Sequence, residues 1–291
     1  MADNLERLIE GLQKSELSRR EFIYRAIVLT GSLAAATTLV DALAPTTSYA
    51  NLVDPNDPAL ISGEVKYNAA DGAGIGSYLT RPKGDERHPA VIVIHGWTGI
   101  DDHIRDVGRR LAKAGYVALV PDLLSRSGGT GAFSSSEAAT KELYRLGDET
   151  FTKDLTGAVN YLKGQNFVRA NRVGVTGFCW GGGKALMFTT RSKDIAASVI
   201  YYGENPREID DVKNITAPVL GHYGGADERI TSGVPQLEAA MKKYGKSFEY
   251  KVYAGAPHSF NSDDNPRSYR EEAAMEAWGK TLEFFRKHLQ S

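Results

Sequence analysis

Cysteine is nearly absent: one residue in 291. No intramolecular disulfide can form, and no Cys/His zinc pattern is present. An excess of either charge is also missing, since 35 basic and 36 acidic residues leave a net charge of −1. That balance offers no electrostatic footprint for nucleic acid as a partner. The chain contains no internal repeat and no long low-complexity tract. Glycine is plentiful, yet Gly128-Gly129-Thr130-Gly131 is followed by no Gly-Lys-Ser/Thr. That stretch is therefore a loop near a strand end, expected to be flexible from Ser125 to Ser136, and not a phosphate cradle. No motif implies a cofactor. What remains is a globular composition, 42 % hydrophobic, at a length that α/β folds often use for one domain.

The first fifty residues stand apart. Ser18-Arg19-Arg20-Glu21-Phe22-Ile23 carries a twin arginine followed by an apolar residue. An Ala/Thr/Leu-rich stretch runs from about Ala26 to Ala44, and Ser48-Tyr49-Ala50 offers a small-x-small cleavage site. The pattern is similar to a bacterial twin-arginine export signal over residues 1–50. It predicts a transient partner, the twin-arginine machinery, and a periplasmic or otherwise exported product. An uncleaved membrane anchor is the alternative, because the run is nearly long enough to span a bilayer. Asp41 and several threonines weigh against it. A cytoplasmic amphipathic helix is the blander reading.

Residues 51–291 read as one domain. After the irregular Asp54-Pro55-Asn56-Asp57-Pro58, two strand-like pieces at 61–67 and 75–80 flank Asp71-Gly72 as an antiparallel pair. Short apolar runs at 90–94, 116–120, 173–176, 197–202, 218–222 and 248–253 read as buried strands. Helical stripes lie between them, such as Ile104, Val107 and Leu111, then Leu155, Val159 and Leu162, then Val234, Leu237 and Met241. Ala274, Trp278, Leu282, Phe285 and Leu289 form a last stripe. The alternation predicts an α/β fold: a mostly parallel sheet of about eight strands, with helices on both faces. Its ligand site should lie at the carboxyl ends of the strands.

Those strand ends hold the chemistry. Gly177-Phe178-Cys179-Trp180-Gly181-Gly182 follows the strand pattern at 173–176 and precedes a helix-prone run. Strand, Gly-x-nucleophile-x-Gly, helix is the layout of a nucleophile elbow. The first N–H groups of that helix are expected to favour a thiolate and to hold an oxyanion. A buried structural cysteine is the bland alternative, but a core cysteine needs no flanking glycines. Gly224-Gly225-Ala226-Asp227 follows the run at 218–222, and Pro257-His258-Ser259-Phe260 follows the run at 248–253. The order nucleophile, acid, histidine is that of the α/β-hydrolase triad. His258 can take the thiol proton while Asp227 orients the imidazole. Two backbone donors are expected at the oxyanion: the N–H of Trp180, and the N–H of Trp97 in His95-Gly96-Trp97-Thr98-Gly99. The tryptophan side chains then serve only to shape the pocket.

Asp101, Asp102 and His103, with His95 nearby, can be read as metal ligands, though a helix N-cap is simpler for the aspartates. Tyr201-Tyr202-Gly203 reads equally as pocket lining or as core.

Together, Gly177-Phe178-Cys179-Trp180-Gly181-Gly182, Pro121-Asp122-Leu123-Leu124, Gly224-Gly225-Ala226-Asp227 and His258-Ser259-Phe260 resemble the dienelactone hydrolase family over about residues 60 to 290. The resemblance implies an α/β-hydrolase fold and a Cys179–His258–Asp227 triad. The implied reaction is hydrolysis of a small ester or lactone, of cyclic enol ester type, through a thioester acyl-enzyme. It also implies substrate contacts at Tyr144 and Ser259. Two positions depart from the family. Gly96 stands where a glutamate is usual beside the cysteine, and Ser262 stands where some members hold the substrate carboxylate with arginine. Arg267 is then the candidate substitute. The Gly96 departure also motivates a contrary reading, a non-catalytic small-molecule-binding member of the fold. Oligomeric state is left open.

Overall fold

The computed structural model describes residues 2–13, 22 and 53–290. The twin arginine, the Ala26–Ala44 run and the Ser48-Tyr49-Ala50 site lie outside the described residues. The chain divides into two compact units, Met1–Leu52 and Val53–Ser291. The first contains helix α1, Ala2–Gln13. Among the described residues, no helix is long and apolar enough to cross a membrane.

The second unit is built on eight strands: β1 (Leu60–Asn68), β2 (Gly74–Pro82), β3 (His88–Ile94), β4 (Val117–Pro121), β5 (Val168–Phe178), β6 (Ala197–Tyr201), β7 (Val219–Gly224) and β8 (Phe248–Tyr253). They form one sheet in the order β1-β2-β4-β3-β5-β6-β7-β8. The β1–β2 and β2–β4 pairs are antiparallel, and every later pair is parallel. The β1–β2 hairpin turns at Gly72, whose φ of 85° suits glycine. Every residue from Ala90 to Ile94 is fully buried, which requires cover on both faces of the sheet. The α/β reading of the sequence therefore holds, strand by strand.

Cover comes from α2 (Asp102–Lys113), α3 (Ser136–Lys163), α4 (Trp180–Arg191), α6 (Val234–Lys243) and α7 (Glu271–Phe285), with the short α5 (Glu228–Thr231) after β7. The predicted stripes are the faces they bury: Ile104, Val107 and Leu111 on α2, Leu155, Val159 and Leu162 on α3, and Val234, Leu237 and Met241 on α6. On α7, Ala274, Trp278 and Phe285 are buried, whereas Leu282 is only half-buried. Asp101 starts α2 by accepting the Ile104 N–H at 2.8 Å, a conventional N-cap.

Strand order places the site. From β3 the chain steps to β4 on one side, then returns to β5 on the other. The carboxyl ends of β3 and β5 thus flank the topological switch point, where ligands bind in open α/β sheets. Trp97 follows the first of these strands and Cys179 the second.

A buried ionic cluster holds the surrounding loops. Asp106 of α2 accepts from Arg110 Nε at 2.5 Å, from Arg109 Nη2 at 3.4 Å and from the Val53 N–H at 2.8 Å. Arg110 also pairs with Asp263, on the loop that follows His258, and His103 Nδ1 meets the other Asp263 oxygen at 2.8 Å. Burial alone would raise the Asp263 carboxyl, but the His103 hydrogen bond and the Arg110 charge outweigh it and hold it below the ordinary carboxylate range. Arg110→Met removes the cation shared by two buried carboxylates. Breaking a buried pair in this way costs about 3–5 kcal/mol, to be read as a lowered midpoint in urea unfolding.

Candidate active site

Close backbone packing dictates the local conformation at Cys179. A Cβ on Gly181 would collide with the carbonyl oxygens of Ile94 and His95, and one on Gly182 with the Tyr201 carbonyl. The start of α4 therefore lies directly on the ends of β3 and β6, and only glycine allows that approach. Cys179 is held at φ 58°, ψ −122°, with its N–H on the Tyr201 carbonyl at 3.1 Å. Its carbonyl accepts from Gly182 at 3.0 Å and Gly183 at 3.3 Å. Among the described residues, three non-glycines have positive φ: Cys179, Tyr202 and Ser259. All three belong to this corner of the molecule. Sparsely populated backbone conformations of this kind concentrate at functional sites.

The acid and the histidine arrive from neighbouring strands. Gly225 N–H donates to the Tyr253 carbonyl at 2.8 Å and Ala226 N–H to the Ala256 carbonyl at 2.9 Å. These bonds strap the loop after β7 to the loop after β8. Asp227 Oδ2 then lies 2.5 Å from His258 Nδ1, and His258 Nε2 lies 3.0 Å from Cys179 Sγ. A carboxylate only accepts, so Nδ1 carries the proton and Nε2 presents a lone pair to the thiol. The Tyr202 ring packs 5.0 Å from the imidazole, which places Tyr202 in the site wall. Tyr201 stacks on Phe178 at 4.5 Å and belongs to the core.

The helix N-terminus favours a thiolate, as the sequence led one to expect, through the Trp180 N–H. Burial nevertheless dominates and pushes the thiol up to about 11. The Trp180 N–H, the Trp97 indole and the Arg229 charge each pull it back, while Asp227 pushes it further up. The resting side chain at neutral pH is therefore the thiol.

The structure brings several of the other sequence candidates to this place and not the rest. The Trp180 N–H lies against the sulfur. Trp97 reaches the sulfur with its side chain: the indole Nε1–H donates to Cys179 Sγ. Nothing in the sequence pattern distinguished that contact from simple packing. Tyr144, largely exposed on α3, sits with its ring 5.8 Å from the Trp97 ring. Ser259 follows the histidine at φ 61°. Arg267 is exposed on the far part of that loop. The guanidinium whose charge reaches the thiol is Arg229 of α5, paired with Glu204 at 2.5 Å. Its position directly after the Asp227 turn was the one available signal for it.

Of His95, Asp101, Asp102 and His103, Asp101 forms the helix N-cap preferred for the aspartates. His95 is fully buried, with Nδ1 on the Gly96 carbonyl at 2.7 Å and Nε2 accepting from Leu123 N–H at 3.1 Å. It clasps the ends of β3 and β4. Asp101 caps α2, Asp102 is exposed, and His103 turns to Asp263. Among the described residues, His103, Asp263 and Asp264 do bring ligand atoms within 4.8 Å of one another, but Arg110 and His103 already occupy Asp263. The Ser125–Ser136 stretch is also more tied down than a free loop. Asp122 accepts from Leu124 N–H at 3.0 Å, Thr130 N–H at 2.6 Å and Thr130 Oγ1 at 3.0 Å. Thr130 Oγ1 in turn takes the Ile100 N–H at 3.0 Å, joining this loop to the one that carries Trp97.

Comparison with known proteins identifies the family. Residues 75–289 match the model of the "Dienelactone hydrolase family". A Methylorubrum extorquens protein named "Putative carboxymethylenebutenolidase" is 34 % identical over 283 residues, spanning 88 % of this chain and 96 % of that one. A Bradyrhizobium protein named "Probable 2-oxo-3-(5-oxofuran-2-ylidene)propanoate lactonase" is 38 % identical over 224 residues, 73 % of this chain and 89 % of the other. Among solved structures, a "Putative Dienelactone Hydrolase" from Klebsiella pneumoniae superposes with a TM-score of 0.72 at 32 % identity, covering 79 % of this chain and all of that one. The chain accordingly belongs to the dienelactone hydrolase family and is a carboxylic-ester hydrolase of the α/β-hydrolase fold.

Proposed function

We propose that Cys179 is the nucleophile of a hydrolase acting on a small ester or lactone, such as a cyclic enol ester. The observation that carries this reading is the unbroken chain of contacts from Cys179 Sγ to His258 Nε2 at 3.0 Å and from His258 Nδ1 to Asp227 at 2.5 Å. A thiol raised to about 11 is a poor nucleophile at rest and needs a base within reach. His258 takes the proton as Sγ attacks the carbonyl carbon, and Asp227 steadies the imidazolium. The tetrahedral oxyanion is received by the backbone N–H groups of Trp180 and Trp97. Collapse expels the alcohol or enolate oxygen, which regains the proton from His258 and leaves a thioester on Cys179. In a lactone that oxygen stays tethered to the acyl group. Water, deprotonated by His258, then attacks the thioester, and the sulfur departs as thiolate and regains its proton from His258. No step calls for a cofactor. Tyr144, Ser259 and Arg267 contact the substrate at the rim, and the Arg229 charge also acts on the sulfur.

We further propose that residues 1–50 direct the chain through twin-arginine export. Arg19→Lys with Arg20→Lys is expected to retain the protein in the cytoplasm of a host that exports the unaltered chain, as read by fractionation and immunoblot.

Three outcomes follow for the site. Cys179→Ala is expected to abolish turnover of p-nitrophenyl acetate by pure protein. Mass spectrometry of the unaltered enzyme should show a transient acyl adduct on Cys179, which a merely binding member of the fold would not form. Because the thiol titrates well above neutrality, iodoacetamide alkylation of Cys179 should accelerate about tenfold per pH unit through the mildly alkaline range, as the thiolate fraction does. A plateau near neutral pH would contradict the buried-thiol resting state.

A further inference from the structure

We propose that the indole N–H of Trp97 is a catalytic hydrogen-bond donor to the Cys179 sulfur, stabilising the thiolate both as it forms and as it leaves. This inference rests on the nucleophile reading above and assigns a role to a side chain that the triad and the backbone oxyanion donors do not use.

Four observations converge on it. The indole Nε1–H donates to Sγ, on a sulfur that also faces His258 Nε2 at 3.0 Å. Indole nitrogen is a donor only, so it cannot receive the thiol proton, which is left to His258. Second, residue 96 stands at the flank of the nucleophile. A Cβ there would lie 4.0 Å from the Cys179 Cβ and 3.9 Å from the Phe178 carbonyl oxygen. Glycine leaves that flank without a side chain, and the next residue supplies the polar contact instead. Third, the indole is held in place. Gly96 and Gly99 pair in an isolated bridge, Ile100 N–H bonds Thr130 Oγ1 at 3.0 Å, and the Tyr144 ring packs 5.8 Å from the indole ring. Fourth, burial disfavours charge on this sulfur, and the indole is among the groups that oppose that effect.

The donor is selective for the charged state. Neutral sulfur is a weak acceptor, whereas hydrogen bonds to an ionised partner are about twice as strong as neutral ones. The bond therefore gains strength when the S–H proton moves to His258, and again when the thioester sulfur leaves as thiolate. Interactions that strengthen toward the transition state are those that accelerate a reaction.

Trp97→Phe tests the proposal, and the single cysteine makes the readout unambiguous. Loss of one charge-assisted bond should raise the thiol by about one pH unit, a tenfold loss of thiolate. The more basic thiolate recovers part of the rate, with a Brønsted slope of about 0.4–0.5. Alkylation at a fixed, mildly alkaline pH should then slow roughly three- to fourfold. Phenylalanine is smaller than tryptophan, so loosened packing alone would expose the sulfur and speed the reaction. Unchanged or faster alkylation overturns the proposal. Ester hydrolysis should lose about tenfold in kcat with little change in KM. If the unaltered enzyme turns over no ester, the proposed function fails, yet alkylation still decides the role of the indole. Should Trp97→Phe not fold, 15N-tryptophan labelling of the otherwise unaltered chain reports on three indoles only. The Trp97 Nε1–H resonance should move upfield in Cys179→Ala and downfield as the thiol ionises. A resonance indifferent to both would refute the assignment.

Discussion

The approach of helix α4 to the sheet, with no side chains between backbones, is the constraint on which the rest of the site depends. Gly181 lies on the carbonyls of Ile94 and His95, and Gly182 lies on that of Tyr201. With so little clearance the chain cannot pass from strand to helix through relaxed dihedrals, so Cys179 takes φ 58°. That backbone turn, and not any contact of its own side chain, lifts the sulfur out of the sheet plane toward the ends of β7 and β8. The same packing brings the loop after β3 alongside and so sets Trp97 beside Cys179.

Around the sulfur, opposing effects are balanced within a few ångströms. Desolvation favours the neutral thiol, and the donors from Trp97 and Trp180 and the charge of Arg229 favour the thiolate. Desolvation wins in the resting molecule. In the proposed mechanism His258 removes the proton at the moment of attack. The imidazole is poised for that by the 2.5 Å contact to Asp227. Its loop is braced from behind by Asp263, which ties it to α2 through Arg110 and His103. The buried ionic cluster thus has a bearing on chemistry that takes place at some remove from it.

The polar residues at the strand ends divide into two kinds. Cys179, Asp227 and His258 meet at one point. Asp122 and His95 do not, for they spend their polar atoms on Leu124, Thr130, Leu123 and Gly96. These bonds shape the loops beside the site. A polar residue at a strand end thus reads the same in sequence whether it meets substrate or organises the turn.

Much of this molecule was legible in the amino-acid sequence. Period-two and buried apolar runs marked all eight strands, helical stripes marked the covering helices, and Cys179, Asp227 and His258, after β5, β7 and β8, marked three side chains that meet. These features are local, written in spacing and in glycine placement, and so survive being read one segment at a time. What the tertiary structure alone decided involves residues far apart in the chain. The indole of Trp97 turned toward a sulfur 82 positions away, the Arg229 charge reached the same sulfur, and His103 paired with Asp263. Above all, the state of the thiol was settled by burial. A helix N-terminus argues for a thiolate in any sequence, but desolvation depends on how many neighbours close over the sulfur, and only the folded chain determines that.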